Sequence, residues 1–345
     1  MSSKPTIVQW ILDTRTWFPE ATETKHLETH ASRALALLTE AERTSVLRYF
    51  HVRDAKMSLA SSLLKHYCIA KLAPSRPPWR STTITRDART KPVWIDPATG
   101  TQPVSFNVSH QAGVVALVAV ANYRAGGGSG SGGGGGDGGA RRAGAAAADA
   151  EAEVGVDVVC TSERRARDQA MVRNEGWAAF VDMHADVFGP GEVRYLKHQV
   201  LSAMPRLEPP PPSAEQLADA KLRAFYALWA LREAYVKLTG EALLAEWLRE
   251  LEFRDFRPPT PTAGWDVPAD EDETGQAAQV IRQTEITFRG RKVEDVNICL
   301  RSIGPDFMIA TAVRTPGNKD DGLGWRLGPY EVLSLEDVLD FAESR

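Results

Sequence analysis

The chain has 345 residues, 43% of them hydrophobic, with nine Trp and a formal net charge of -4. That length and apolar content suit two packed domains, and the small negative charge excludes a molecule that binds nucleic acid or a membrane surface through bulk positive charge. Cys68, Cys160 and Cys299 are odd in number and far apart with no CxxC pair, so they indicate no zinc site and fit buried thiols in a reducing compartment.

From the N-terminus, Val8 to Leu12 is expected to be a strand; Gln9 and Asp13 interrupt the apolar stretch, which therefore reads as a strand rather than a signal peptide. A helix is expected around Leu35 to Phe50. A second lies in "AKMSLASSLLKHYCIAKL", where Leu59, Leu63, Leu64 and Tyr67 recur at helical spacing. "STTITRD" is strand-like, and "VSFNVSHQAGVVALVAV" reads as a hairpin. The longest apolar run, "GVVALVAVA" at 113–121, is too short to span a bilayer, and a cytoplasmic protein is expected. Residues 126–150, rich in Gly and Ala, hold no side chains able to form a core; they are expected to be a disordered linker between a lobe at 1–125 and another at 151–345.

After the linker, "EAEVGVDVVC" alternates as a strand, and Trp177 to Val187 forms a helix that "GPGE" breaks and restarts. "PPPP" at 209–212 precedes a long helix from about Ser213 to Thr239 and the short "EWLRELEF". Residues 257–279, with Pro, Gly and "DEDE", are expected to be an exposed loop. Strands are expected in "EITFRG", "VEDVNICLRS" and "DFMIATAVRT", then a terminal helix in "SLEDVLDFAE" capped by Ser334 with Glu336 in its first turn. Helix, strand and hairpin recur in each half. The expected fold is α+β: two similar lobes related by pseudo-twofold symmetry, each a small, mostly antiparallel sheet packed with a long helix, with the active site in the cleft between them.

Asp157 sits in the middle of the "VGVDVV" strand, where a carboxylate needs a partner; an isolated Asp is more often a solvent-facing edge residue. Neighbouring Gly155 argues for room beside it for a ligand. Trp229, Glu233 and Lys237 follow at four-residue steps along one helix stripe. Glu four residues before Lys is ordinarily a surface pair. Here, though, Leu222, Phe225, Tyr226, Leu228, Leu231, Tyr235 and Leu238 make the helix apolar over much of its circumference, so the pair must face a partner or a polar cleft. Asp157, Glu233 and Gln111 would suit Mg²⁺, which takes oxygen ligands and completes its shell with water and phosphate, and Lys237 could neutralise a departing phosphate. Taken alone, His110 is more often structural. Ser109 and His110, adjacent on a strand, point to opposite faces and make no nucleophile pair.

"FNVSHQ" at 106–111, "VGVDV" at 154–158 and "WALREAYVKLTGEALL" at 229–244 resemble the three signature blocks of the 4′-phosphopantetheinyl transferases. The likeness is strongest to the pseudo-dimeric, surfactin-synthetase-activating type in its fungal broad-range form, and "RYFHVRDAKMSLASSLLK" and "TKPVW" extend it over most of the chain. It implies transfer of the phosphopantetheine arm of coenzyme A to a serine of acyl or peptidyl carrier protein domains, with 3′,5′-ADP leaving. On the matching positions it implies Asp157, Glu233 and Gln111 as Mg²⁺ ligands, and Glu233, Lys237 and Asp157 as catalytic groups. Ser109 and His110, with Lys91 and Ser58 beside them and Arg43 and Arg48 nearby, would contact coenzyme A. Three positions depart from the family pattern: Val159 stands where some relatives have a second acid, Arg232 replaces a usual Lys, and Ser45 replaces a basic residue. Arg232 is expected to point away from the site.

Two other readings compete: a Mg²⁺-dependent phosphohydrolase using water as nucleophile, and a carrier-binding protein without chemistry. No nucleic-acid or membrane partner is expected; "RRAR" at 164–167 reads as a solvated loop, with Arg164, Arg165 and Arg167 and the segment 177–200 as candidate carrier contacts. Two fused lobes would make a monomer sufficient.

Overall fold

The computed structural model describes residues 5–123, 152–201, 212–241, 245–265, 280–282 and 284–345. The expected linker at 126–150 lies outside the described residues, as does 266–279 of the expected acidic loop.

In chain order the first part holds β1 (Thr6–Asp13), α1 (Leu27–His30), α2 (Ser32–Ala36), α3 (Glu40–Leu47), α4 (Val52–Leu72), β2 (Thr85–Arg86), β3 (Pro92–Val93), β4 (Val104–Gln111) and β5 (Val114–Ala121). Then come β6 (Glu153–Cys160), α5 (Arg165–Glu175), α6 (Trp177–Asp182), α7 (Pro190–His198), α8 (Ala214–Thr239), β7 (Leu251–Arg254), β8 (Val280–Ile281), β9 (Glu285–Phe288), β10 (Arg291–Lys292), β11 (Val296–Ile303) and β12 (Phe307–Arg314). The chain ends with α9 (Lys319–Leu323), β13 (Glu331–Leu333) and α10 (Leu335–Glu343).

Two four-stranded sheets dominate, ordered β13-β1-β5-β4 and β6-β12-β11-β8. Every pairing in them is antiparallel except β1 with β13. α4 packs on one face of the first sheet, where Leu59, Leu63 and Tyr67 meet Val115 and Leu117. α8 packs on one face of the second, where Leu231, Ala234 and Leu238 meet Met308 and Ala310. The opposite faces of the two sheets share a third apolar cluster, in which Val114, Ala116 and Val118 of β5 lie with Val154, Val156 and Val158 of β6 and Ile309 of β12. A strand covered on both faces needs no polar side, and "VVALVAVA" is accordingly buried at every residue.

Several elements depart from the sequence expectation. The helix expected at Leu35 to Phe50 is two pieces, because Thr39 starts a new helix: its hydroxyl accepts from the Glu42 amide while Glu42 caps the Thr39 amide in return. "STTITRD" contributes only two strand residues. "RRAR" is not a loop; α5 begins at Arg165, which is fixed by Asp219 at 2.5 Å and Glu215 at 3.2 Å. The restart at "GPGE" is observed, with Pro190 at the first position of α7 and Glu192 reaching back to the Gly189 amide at 2.7 Å.

The C-terminal segment crosses back to the first sheet. β13 pairs in parallel with β1, and Val338, Leu339 and Ala342 of α10 join the α4 core. Arg33 binds Glu336, Asp340 and Glu343 at 2.5, 2.6 and 2.7 Å. Ser334 caps α10 as expected, accepting from the Asp337 amide.

Candidate active site

The site is built where the edge strands of the two sheets, β4 and β6, meet beneath α8. Gly155 and Asp157 are two residues apart on β6 and share a face. A Cβ at Gly155 would lie 2.1 Å from the Ala234 carbonyl oxygen and 2.6 Å from the Leu238 amide nitrogen. The glycine therefore makes room for the α8 backbone, and the expectation that it leaves space for a ligand is corrected. This close approach lays residues 233 and 237, one helical turn apart, over the Asp157 carboxylate.

Lys237 pairs with Asp157, not with Glu233 in the surface arrangement that the four-residue spacing permits. Its Nζ donates to Asp157 Oδ1 at 2.6 Å and to Ser109 Oγ at 2.9 Å, and the Ser109 hydroxyl donates to the same Oδ1 at 3.0 Å. Asp157 is 6% exposed. Burial pushes its carboxyl above the ordinary range, while the Lys237 ammonium and the Ser109 hydroxyl oppose that rise. Glu233 makes no hydrogen bond or ion pair among the described residues. Its carboxyl is pushed up to about 6, first by burial and then by the neighbouring Asp157 charge, with Lys237 opposing.

β4 meets β6 through side chains instead of a backbone ladder. Asn107 Oδ1, Ser109 Oγ and Gln111 Oε1, every second residue of β4, accept from the amides of Val156, Val158 and Cys160 at 2.9, 3.3 and 3.0 Å. These amides face away from β12, so the three side chains satisfy donors that an edge strand would otherwise leave to water. Gln111 Nε2 also donates to Glu163 Oε2 at 2.7 Å. His110 points the other way from Ser109 and is exposed. Packing around its ring and then the Lys237 charge lower its pKa.

These groups open on one cavity of about 470 Å³. Ser109, His110, Gln111, Asp157, Glu233 and Lys237 all line it, together with an aromatic wall of Phe180, His184, Phe225 and Trp229. The remaining predicted contacts lie elsewhere. Lys91 lines a separate cavity of about 440 Å³, and its Nζ donates to the Leu238 carbonyl at 3.1 Å. Ser58 is part-buried on α4, Arg43 and Arg48 are exposed on and just after α3, and none of the three lines the site. Arg164 does line it. Arg232 points away as expected: buried, it donates to Glu192 Oε2 at 2.7 Å and to the Leu251 carbonyl at 2.8 Å.

Among the described residues no group of three or more His, Cys, Asp and Glu side chains is arranged to hold a metal ion. Four carboxylates line the cavity, and two of them, Asp157 on β6 and Glu233 on α8, stand with the Gln111 carboxamide of β4. Glu233, half-buried and unpaired beside a second carboxylate, is a group whose charge a cation would relieve, and oxygen donors of this kind suit Mg²⁺.

Residues 16–122, which include β4, match the family model for the 4′-phosphopantetheinyl transferase N-terminal region, and residues 153–284, which include β6 and α8, match that of the 4′-phosphopantetheinyl transferase superfamily. A 4′-phosphopantetheinyl transferase of Fusarium mangiferae is 44% identical over 341 residues, covering 99% of this chain and 97% of that protein. The chain belongs to the 4′-phosphopantetheinyl transferases. Two further members of this transferase family are similar along their length. That of Aureobasidium melanogenum is 34% identical over 96% of each chain, and that of Emericella nidulans 32% identical over 97% of this chain and 93% of its own.

The sequence reading did not single out four polar groups in this candidate site. Asn107 was findable, since it lies two residues before Ser109 and shares its face. Glu163, Asp168 and Tyr226 were not: Glu163 is placed by Gln111 on β4, and Asp168 and Tyr226 by α5 folding against α8, where the Tyr226 hydroxyl donates to the buried Asp168 carboxylate.

Proposed function

We propose that this transferase moves the 4′-phosphopantetheine arm of coenzyme A to a serine of an apo carrier protein domain, in a cleft between two lobes related by a pseudo-twofold axis. The repeated order of β1, α4 and the β4–β5 hairpin in one half, and β6, α8 and the β11–β12 hairpin in the other, supports that architecture. The observation that carries the reaction is the convergence of Asp157, Glu233 and Lys237 in one cavity.

Asp157 and Glu233, with the second lone pair of the Gln111 oxygen, would hold Mg²⁺. When bound, the ion supplies charge neutralisation at the pyrophosphate of coenzyme A. The carrier serine oxygen forms a bond to the phosphorus that bears the pantetheine arm, and the bond from that phosphorus to the oxygen of 3′,5′-ADP breaks. Glu233 takes the serine proton. Lys237 keeps an ammonium next to the departing phosphate; two of its three N–H groups are engaged by Asp157 and Ser109. His110, exposed at the cavity, offers a ring nitrogen to coenzyme A; Ser58, Arg43 and Arg48 do not line that cavity and Lys91 lines another, so they would serve only a nucleotide end that extends beyond it. Arg164 on the cavity rim, Arg167 beyond it and the segment 177–200 suit the acidic surface of a carrier protein.

Intact-mass analysis of an apo carrier protein incubated with coenzyme A, Mg²⁺ and this protein tests the reading. A carrier heavier by one phosphopantetheine, with equimolar 3′,5′-ADP, is expected. Rapid 3′,5′-ADP release without carrier, or an unmodified carrier, would count against it.

A further inference from the structure

A cavity of about 470 Å³ admits a serine side chain and a pantetheine arm, but not a protein domain. The rest of a carrier must lie over the surface around the mouth, and a specific protein partner covers about 800 Å² on each side. Large apolar side chains left in water are scarce on this surface. Among the described residues the two most exposed are Phe50 at 90% and Met183 at 55%, and they come from opposite halves of the chain. Both adjoin residues of the cavity. Met183 precedes His184, which lines it. Phe50 stands two residues before α4 and three before Arg53, whose guanidinium lies 3.6 Å from the carboxylate of Glu163, another lining residue. The Phe50 ring meets the His51 ring edge-on at 4.9 Å and belongs to none of the three apolar clusters. Arg53 is 64% exposed and makes no hydrogen bond among the described residues; its ion pairs with Asp54 and Glu163, at 3.5 and 3.6 Å, are too long to occupy its donors. Between positions 43 and 56, Arg43, Arg48, Arg53 and Lys56 face only Asp54 in the charge balance, so this stretch is basic.

We propose that the junction of α3 and α4 is a docking surface for the carrier domain, with Phe50 as its apolar anchor and Arg53 as its basic contact. It rests on the transferase reading above and deepens it by adding the first half of the chain to the carrier contacts at Arg164, Arg167 and 177–200. An aromatic ring and an arginine are the side chains that most often dominate binding at a protein interface. Here they stand together where the fold gives neither a partner of its own. An acidic carrier seated over the mouth would bury the Phe50 ring and pair a carboxylate with the open donors of Arg53. Met183 would be covered by the same domain from the second half of the chain.

Steady-state modification of an apo acyl carrier protein tests this, with carrier varied at saturating coenzyme A and coenzyme A varied at saturating carrier. Phe50→Ser should raise KM for the carrier about tenfold. Arg53→Glu should raise it about as much and make it less dependent on salt than in the parent. In both variants kcat and KM for coenzyme A should stay within about threefold. Phe50→Ser removes an exposed side chain, so its melting temperature should match the parent's; should Arg53→Glu not fold, Arg53→Gln carries the same comparison. A carrier KM raised less than about threefold in Phe50→Ser overturns the proposal. So does a loss of coenzyme A affinity of about tenfold, which would mean that this surface holds the nucleotide instead. Calorimetry of the apo carrier with parent and Phe50→Ser, without coenzyme A, separates docking from chemistry. A carrier that binds the parent more tightly than the variant but is never modified sinks the transferase reading and leaves the docking surface standing, whereas one that binds both equally overturns the docking surface alone.

Discussion

Glu233 should cost the protein stability that its function requires. Its carboxyl has a pKa of about 6 in the folded protein against an ordinary value of 4.5, because burial and the Asp157 charge disfavour the ionised form. An acid whose folded value is raised destabilises the fold wherever it is ionised, and the penalty vanishes where both states are protonated. From the two values it is about 2 kcal/mol at pH 8, falls to about 0.8 kcal/mol at pH 5 and is nearly gone by pH 4. Glu233→Gln removes the charge while keeping the shape. The metal-free variant should therefore be more stable than the parent by about 2 kcal/mol at pH 8, with the advantage shrinking through pH 6 towards pH 5. Urea unfolding at several pH values, followed by Trp fluorescence with a chelator present, measures this. Adding Mg²⁺ at ten times its dissociation constant should stabilise the parent by about 1.4 kcal/mol and leave Glu233→Gln unmoved. A variant no more stable than the parent at pH 8, or a gain that does not diminish on acidification, would refute the electrostatic reasoning. In carrier modification the same variant should lose most activity.

Lys237→Met should destabilise by about 3 kcal/mol, the low end for a broken buried pair because the lysine side chain is 28% exposed; adding Asp157→Asn should restore most of that in urea unfolding. Gly155→Ala should cost about 1–3 kcal/mol, since the new methyl meets the α8 backbone, and should lower kcat more than coenzyme A affinity by lifting Glu233 and Lys237 off Asp157. Arg232→Met should cost about 3–5 kcal/mol because it strands the buried Glu192, while calorimetry should find coenzyme A affinity unchanged.

The elements legible in the sequence are those whose own residues carry the pattern. α4 and α8 repeat apolar residues at helical spacing, the β4–β5 hairpin alternates and then runs apolar, and Ser334 announces α10. What escaped was decided by distant partners. β13 is three residues that become a strand only beside β1, and α5 is polar enough to read as a loop until Arg165 finds Asp219. The same division runs through the site. Asp157, Glu233 and Lys237 stood out because charge on otherwise apolar elements demands an explanation. Which of them pair did not, because helical spacing joins Glu233 to Lys237 while the folded chain joins Lys237 to a strand eighty residues earlier.

Gly155 explains why the folded pairing wins. Within α8, a Glu–Lys contact at four-residue spacing is an exposed interaction of about 0.2–0.5 kcal/mol. The absence of a side chain at 155 lets the helix backbone settle against β6, which takes the Asp157 carboxylate out of water directly below Lys237. A buried carboxylate without a cation would cost several kcal/mol, so the lysine is drawn to Asp157 and Glu233 is left without a counter-charge of its own. The site's unpaired acid is thus a consequence of how closely one helix packs on one strand. Any change that lets α8 ride higher should return Lys237 towards Glu233, lower the Glu233 pKa and weaken catalysis together.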